Sequence, residues 1–295
     1  MDEAVSRAIS ALSDRQVNFT HTALLNKTLS YLAGEPTILD AVRAGIDRAV
    51  AYDRLIPLDQ EKGVFTSDIH LLDELSVAQL SRTHLDSGAV TVSPGRDGLP
   101  AVDACSDAVR QLAQARPTLA VLSGVGGASV NRARVVEVVT MARTQGREAR
   151  VLTADRTSQA YLQQAGELGE GAVLTRPSLV SEALFAPNST LVVDQAEKLT
   201  LKETVTLLDG ALRNNVQLVL MDTEKRKGTG NALAVMKDAG VPRFQFSGRP
   251  TVRTLVASEP DKGRALRSWR AVTRRRCARV SRPWPRSAGR PTSGS

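Results

Sequence analysis

Hydrophobic positions in the first 85 residues recur at the spacing of amphipathic helices. Val5, Ile9 and Leu12 would lie on one helical face because they repeat at i, i+4 and i+7. The other predicted elements of this region are helices over 20–32 and 38–50 and strands over 54–58 and 63–66. Three short helices followed by a hairpin indicate a winged-helix-like unit, which either binds nucleic acid or serves as a packing module.

After a segment rich in Gly, Pro and Asp, apolar strand-like runs alternate with amphipathic helices. Val135 and Val139 mark the buried stripe of one helix, and Gly146 ends it. Thr200 and Glu203 have the spacing of a capping box at the start of another helix. The predicted strands are 119–122, 149–153, 172–175, 190–193, 216–221, 243–246 and 251–257. This alternation predicts an α/β fold, a doubly wound parallel sheet with helices on both faces.

These patterns divide the chain into four regions. Residues 1–85 are the predicted helical, winged-helix-like domain, and residues 86–104 are a short hairpin and linker. Residues 105–262 are the predicted α/β domain. Residues 263–295 are rich in Arg, Ser and Pro without a helical or strand period, so we predict a disordered basic tail.

The net charge of +8 is concentrated in the tail. Residues 264–295 contain ten Arg and no Asp, Glu or Lys, which leaves 29 basic and 31 acidic residues in 1–263. The rest of the chain is therefore close to neutral. This distribution argues against a chain that binds nucleic acid over its whole surface through positive charge.

Three features bear on location. No run of 18 apolar residues occurs, so we predict no membrane insertion. The first residues lack the basic start and apolar stretch of a secretory signal. Cys105 and Cys277 are too few for a disulfide framework or a metal site. A reducing, cytoplasmic location fits these features best.

A glycine-rich turn follows the first strand of the predicted sheet. Gly124, Gly126 and Gly127 lie between the apolar run 119–122 and a helical pattern. Ligands of parallel α/β folds bind beyond the carboxyl ends of the strands, and a P-loop holds phosphates at such a turn. Measured against the P-loop pattern G-x-x-x-x-G-K-[ST], Gly124 fits the first position.

The other three P-loop positions are altered. Ser129 stands at the second glycine, Val130 at the lysine and Asn131 at the Ser/Thr. The loss of the lysine matters most, because a valine supplies no charge to a triphosphate. By itself, however, a glycine turn after a strand is common in α/β domains.

Two further strand ends carry altered motifs. Helicase-type ATPases place Asp-Glu after such a strand, the Asp for magnesium and the Glu for water, whereas this chain has Asp194 and Gln195. The next strand leads to Asp222, with Lys225 where many helicases have a glutamine that senses the terminal phosphate. Three altered matches in order predict a degenerate nucleotide site with no catalytic residues and no metal ligands.

Four stretches resemble the TraI relaxase–helicase family of F-like conjugative plasmids. They are RAGIDRAVAYDRLIPLDQEKGVFTS, HLLDELSVAQLSR, VDQAEKLTLKETVTLLDGA and TGNALAVMKDAGV. The resemblance covers about residues 1–262. It implies that the chain corresponds to the start of the family's first RecD-like helicase region, a vestigial region that has a RecA-like fold and binds single-stranded DNA.

The family's other activities are not expected here. Its members begin with a relaxase domain that nicks plasmid DNA through tyrosines and a histidine-bound metal. His21, His70 and His84 are scattered without a His-x-His pair, and the three tyrosines are single residues on helical patterns. ATP and magnesium belong to the family's active helicase domain, so no cofactor is expected in this segment.

Our first functional hypothesis is a module that binds single-stranded plasmid DNA during conjugation. In RecA-like helicases the single-stranded DNA crosses the ends of the β-strands. Hydroxyls and arginines contact its phosphates there without reading bases. The candidate DNA-binding residues are Arg156, Thr157, Ser158, Lys225, Arg226 and Lys227. Only 3% of the residues are aromatic, so we expect electrostatic, salt-sensitive binding.

Two alternatives stay open. One is residual ATP-dependent helicase activity, against which the missing lysine argues. The other, implied by the resemblance alone, is a docking module for the coupling protein of type IV secretion. The resemblance ends abruptly after Lys262, which indicates a shifted reading frame in the tail, and the alternative there is a basic arm for DNA.

Overall fold

The computed structural model describes residues 1–14, 16–32, 38–93, 106–124, 128–164, 166, 168–169, 171–223 and 231–246. They all belong to one compact unit, Met1–Val252, and a second unit, Arg253–Ser295, lies outside them. The predicted strand 251–257 and the tail 263–295 therefore fall outside the described residues. None of the described helices is long and apolar enough to cross a membrane.

The first 67 residues form three helices around a short antiparallel sheet of order β1-β3-β2. The elements are α1 (Asp2–Ser13), β1 (Phe19–Thr20), α2 (His21–Leu29), α3 (Ile38–Ala51), β2 (Leu55–Asp59) and β3 (Val64–Ser67). Val5, Leu24, Ile46 and Leu55 are buried together in the apolar core of this part. The three predicted helices and the hairpin are confirmed. Strand β1 was not predicted, because two residues are too short to show an alternation.

Helix α4 (Asp68–Leu85) links this part to the rest of the unit. It begins at Ser67, whose Oγ accepts a hydrogen bond from the His70 amide at 3.1 Å. Its middle packs against helices of the large sheet described next, and Val77 is fully buried in their core. The helix therefore contributes apolar residues to the core of the α/β part.

The second part of the unit is an α/β layer structure. Its elements are α5 (Asp107–Ala115), β4 (Leu119–Ser123), α6 (Ala128–Thr144), β5 (Ala149–Thr153), α7 (Arg156–Gln163), β6 (Val173–Thr175), β7 (Thr190–Asp194), α8 (Leu201–Arg213), β8 (Gln217–Asp222), α9 (Ala232–Asp238) and β9 (Arg243–Gln245), with 3-10 turns at Arg176–Val180, Glu182–Leu184 and Ala196–Lys198. All six strands are parallel, in the order β6-β5-β7-β8-β4-β9. The predicted parallel sheet is confirmed.

Successive residues of a strand enter two different cores. Leu119 and Val121 belong to the core on one face of the sheet, and Ala120 and Leu122 belong to the core on the other. Both faces are therefore covered by helices, as near-continuous apolar strands predict. Helix α8 has the predicted capping box: Thr200 Oγ1 accepts from the Glu203 amide, and a Glu203 carboxylate oxygen accepts from the Thr200 amide.

Side-chain amides hold the edge at which the strands begin, the amino edge. Gln217 is fully buried there; its Oε1 accepts from the Val92 amide at 2.9 Å and its Nε2 donates to the Pro117 carbonyl at 2.9 Å. Arg147 donates to the carbonyls of Val90 and Ser189. Residues 88–93 form no strand but are fastened to the sheet by these bonds. The rest of the predicted linker, 94–104, lies outside the described residues.

Candidate functional site

The altered motifs meet at the opposite edge, the carboxyl edge. Ser123, Asp194 and Asp222 end strands β4, β7 and β8, which are neighbours in the sheet. Ser123 is in register with Asp222, and Thr153 of β5 is in register with Asp194. The parallel arrangement therefore brings together the three motifs that the sequence places far apart, as expected for a ligand site of this fold class.

Gly124 directly follows β4 and has a packing role. Its amide donates to the Asp222 carbonyl at 3.2 Å, and the Phe246 amide donates to the Ser123 carbonyl at 2.9 Å. A Cβ at position 124 would lie 2.1 Å from the Phe246 carbonyl oxygen and 2.7 Å from its ring. Glycine is thus required here by the approach of the chain after β9. Gly126 and Gly127 lie outside the described residues.

The other P-loop positions lie in the first turn of α6. Ser129 is exposed, and Val130 packs against an apolar core of the sheet. Asn131 is buried, and its Oδ1 accepts no hydrogen bond from the described residues. The position at which a P-loop lysine would extend toward phosphates is therefore part of the hydrophobic packing.

Asp194 is a buried carboxyl at the end of β7. Burial, followed by the neighbouring charge of Glu197, raises the pKa of Asp194 to about 6. Glu197 is also buried, and its carboxylate accepts from the amide of Thr223, at 3.3 Å, and from the hydroxyl of the same residue. Two carboxyls thus share a poorly solvated turn, an arrangement found at functional sites.

Gln195 lies in the left-handed backbone region with φ of +54°. Its Nε2 donates to Ser158 Oγ at 2.9 Å, whereas its buried Oε1 has no hydrogen-bond partner among the described residues. The position that the sequence predicts as an altered catalytic glutamate is therefore occupied by an amide that bonds another protein group.

The third motif contains an ion pair. The Arg243 guanidinium of β9 contacts the Asp222 carboxylate of β8, two strands away, so it crosses the end of β4. Sequence reasoning missed this cation because the residues of the pair are far apart in the chain and carry no local signal. Lys225, Arg226 and Lys227 lie outside the described residues.

The remaining candidates lie on residues 154–158, which join β5 to the first turn of α7 and are called here the turn between β5 and α7. Asp155 caps α7: its Oδ1 accepts from the Ser158 amide at 2.8 Å, and its Oδ2 accepts from Lys198 Nζ at 2.9 Å. The Ser158 amide and then Lys198 lower the pKa of Asp155 to about 2. Arg156 and Thr157 are exposed, whereas Ser158 is partly buried. Two of the three predicted side chains on this turn can therefore meet a ligand directly.

His70 and Tyr161 each contact another side chain of the fold. His70 Nε2 lies 3.3 Å from a Glu74 carboxylate oxygen, both on α4. The Arg132 guanidinium lies 5.3 Å from the centre of the Tyr161 ring, a cation–π contact between α6 and α7. Within the described residues, no group of three or more His, Cys, Asp or Glu is placed to hold a metal ion.

The fold and the site define an α/β protein in which three predicted motifs meet at the carboxyl edge of a parallel sheet. Residues 124–222, from the first altered motif to the third, match the family model described as "TraI helicase-associated ssDNA bd, N-terminal". Two relatives, both called "Multifunctional conjugation protein TraI", come from Escherichia coli K12 and from Escherichia coli. Each is 48% identical over 262 residues, which is 89% of this chain and 15% of the relative. Over these 262 residues the chain is a TraI-type conjugation protein sequence, and it spans about one seventh of its relatives' length.

Proposed function

We propose that this chain binds single-stranded DNA at the carboxyl edge of a RecA-like sheet during plasmid conjugation, without nicking DNA or hydrolysing ATP. The main support is that the three altered motifs follow three adjacent strands, and that the side chains at two altered positions, Val130 and Gln195, are engaged in the protein. The family model that spans these strands adds independent support, because its description names single-stranded DNA binding.

Two features of the carboxyl edge argue against nucleotide chemistry. Val130 contributes to the hydrophobic packing and cannot neutralise phosphate charge. Gln195 is nearly isosteric with glutamate, but an amide is a poor base and cannot activate water. We therefore expect no ATP hydrolysis by this chain in a phosphate-release assay. Turnover by the unmodified chain would favour a residual helicase instead, and turnover only after Val130→Lys and Gln195→Glu are combined would attribute the loss to these two positions.

The exposed turn after β5 is the proposed DNA contact. Arg156 and Thr157 present a cation and a hydroxyl to solvent, which suit a phosphate–sugar backbone rather than base edges. Salt should weaken such binding, because each neutralised phosphate releases condensed counterions. Lys225, Arg226 and Lys227, which follow β8 in the sequence, remain proposed contacts.

We propose a winged-helix-like packing role for the N-terminal part. The arginines of α3 already have carboxylate partners: Arg43 with Asp40 at 3.3 Å, and Arg48 with Asp2 at 2.5 Å. Helix α4 is packed against α8 and α9. A helix whose arginines are paired presents little net positive charge to DNA, so Arg43→Ala should change DNA affinity less than about twofold.

Fluorescence anisotropy with a labelled single-stranded oligonucleotide tests the proposal. The full chain is compared with a variant whose ten tail arginines are replaced by glutamine, at low and moderate salt, so that attraction by the tail is measured separately. Saturable, salt-sensitive binding by the neutral-tail chain is expected. No binding at low salt would refute the proposal, and a pull-down with the coupling protein would then test the docking alternative.

Arg156→Ala, made in the neutral-tail chain, locates the contact. We expect about three- to tenfold weaker binding and a smaller salt dependence, because one phosphate contact is lost. Arg213→Ala is the matched control, since Arg213 is an exposed arginine of α8 paired with Asp209. Equal effects of the two changes would place the contact elsewhere.

A further inference from the structure

We propose that Gln195 is a positioning residue for the DNA-contacting turn. Its side-chain amide, which stands in the place of a catalytic glutamate, fixes the turn between β5 and α7 by donating a hydrogen bond to Ser158. The inference rests on the proposed function, because this turn carries Arg156 and Thr157.

The hydrogen bonds at Ser158 run in one direction. Gln195 Nε2 lies 2.9 Å from Ser158 Oγ, and an amide nitrogen can only donate. The Ser158 amide in turn donates to Asp155 Oδ1 at 2.8 Å. The bonds therefore lead from Gln195 to Ser158 and from Ser158 to Asp155. A donor at position 195 is needed to keep the first of them.

A second bond ties the same two turns together. Lys198 Nζ donates to Asp155 Oδ2 at 2.9 Å, and Arg176 donates to the Lys198 carbonyl at 2.7 Å. The turn after β7 thus holds the turn after β5 at two points. Arg156 and Thr157 lie between the two residues that are held, so their backbone positions are fixed from both sides.

Holding this turn in place affects its affinity for DNA. A flexible loop loses conformational freedom when it orders on a ligand, and a loop that is already held loses less. The free energy of DNA binding therefore depends on bonds that never touch DNA. Because the Gln195 side chain is engaged inside the protein, its contribution would be indirect, through the position of Arg156.

The charges around position 195 explain why an amide serves better than a carboxylate. Asp194 and Glu197 lie on the same turn, Asp155 faces it from the turn after β5, and Lys198 and Arg176 are the cations nearby. A glutamate would add a further negative charge beside Asp194, whose pKa burial already raises to about 6. An ionised carboxylate also has no proton to donate to Ser158, so the bond that the Gln195 amide makes would be lost.

The test takes the neutral-tail full-length chain as the unmodified chain and measures its binding to a labelled oligothymidine by anisotropy at pH 7.5 and pH 5.5. Gln195→Met removes the donor without adding charge, and about fivefold weaker binding is expected at pH 7.5. Gln195→Glu adds a charge as well, and about tenfold weaker binding is expected. Gln163→Glu places the same charge at an exposed position of α7, and less than about twofold change is expected.

The pH profile separates positioning from general damage to the fold. Neighbouring Asp194 and Asp155 should raise the pKa of the introduced carboxyl, and a protonated carboxyl can donate to Ser158. Relative to the unmodified chain, Gln195→Glu should therefore recover most of its affinity at pH 5.5, whereas Gln195→Met should not. Equal losses at both pH values in both variants would contradict the positioning role.

Ser158→Ala removes the acceptor of the hydrogen bond that Gln195 donates. It should weaken binding about fivefold, and combining it with Gln195→Met should add little, because both changes remove one interaction. Independent, multiplying losses would overturn the inference. So would unchanged binding by both Gln195 variants while the unmodified chain binds. If the unmodified chain itself fails to bind at low salt, the proposed function fails instead.

Discussion

The two edges of the six-stranded sheet are held by different kinds of interaction. At the amino edge, the neutral amide of Gln217 bonds backbone groups of two other segments, and Arg147 donates to two carbonyls. At the carboxyl edge, Asp194, Glu197 and Asp222 are all buried carboxyls. One edge therefore relies on side-chain donors that bond backbone carbonyls, and the other concentrates buried carboxyls.

This difference between the two edges indicates which of them lowers the free energy of unfolding. A buried amide with all its partners contributes to folding, whereas a buried carboxylate costs free energy unless it is well paired. Asp222 has Arg243 and Glu197 has Thr223, but the pKa of Asp194 remains raised to about 6. A buried carboxyl with a raised pKa at the carboxyl edge of a parallel sheet is typical of functional sites.

Among the variants that test this comparison of the two edges, Gln217→Leu should change stability most. The change leaves the Val92 amide and the Pro117 carbonyl without their partners, so we expect about 4 kcal/mol lower stability. Urea unfolding measures it. Gln245→Leu, at an exposed position of β9, is the control and should change stability by less than about 0.5 kcal/mol. Similar losses from both changes would mean that the amino edge is not specially held.

His84 should make the amino edge sensitive to acid. It is buried at the end of α4, where its carbonyl accepts from Thr118, and burial lowers its pKa from 6.5 to about 4. The unfolded chain takes up the proton first, so stability is present above pH 6.5 and falls as the pH drops toward 4, by about 3 kcal/mol. His84→Leu should remove this loss, and His21→Leu should retain it. Unfolding at several pH values is the measurement.

Asp194 should give the carboxyl edge the opposite response. Its folded pKa of about 6 lies above the unfolded value of 3.8, so its favourable contribution is present below pH 3.8 and lost as the pH rises through 6. Asp194→Asn should therefore stabilise the chain at pH 7.5 by up to about 3 kcal/mol and have little effect at pH 3.5. Destabilisation at pH 7.5 would show that the ionised carboxylate is better paired than its burial suggests.

Gly124→Ala should have the smallest effect of the four. The added methyl meets the Phe246 backbone, and we expect about 2 kcal/mol lower stability as the end of β9 shifts. Gly88→Ala is the control, because a Cβ there would meet nothing within 4 Å. If Gly124→Ala leaves the stability of the chain unchanged, packing does not require this glycine.

Local sequence patterns were sufficient to predict the helices and strands. The predicted strand 149–153 agrees with β5 residue for residue, and the capping box of Thr200 and Glu203 forms as its spacing predicts. Both signals involve residues within five positions of one another. The three altered motifs could also be placed on one edge, since parallel strands bring their carboxyl ends together.

Contacts between distant residues could not be predicted. Nothing around Arg243 signals that it reaches Asp222, and nothing around Gly124 indicates the approach of Phe246. Ser158 illustrates the same limit: its type and position favoured a DNA contact, whereas its hydroxyl is engaged by Gln195. A spacing in the sequence identifies the strand end, but the side-chain partners depend on which strands become neighbours.

The strand order also determines how long each strand stays unpaired while the chain is being synthesised. Strand β4 is the first strand of the large sheet to leave the ribosome, yet it pairs only with β8 and β9. Its partner residues in β8 follow about 100 positions later, so at typical translation rates both of its edges stay unpaired for about 5 to 20 seconds. Apolar β4 is thus the segment that a nascent-chain chaperone would be expected to protect, and its pairing with β8 is the long-range step that should limit the folding rate.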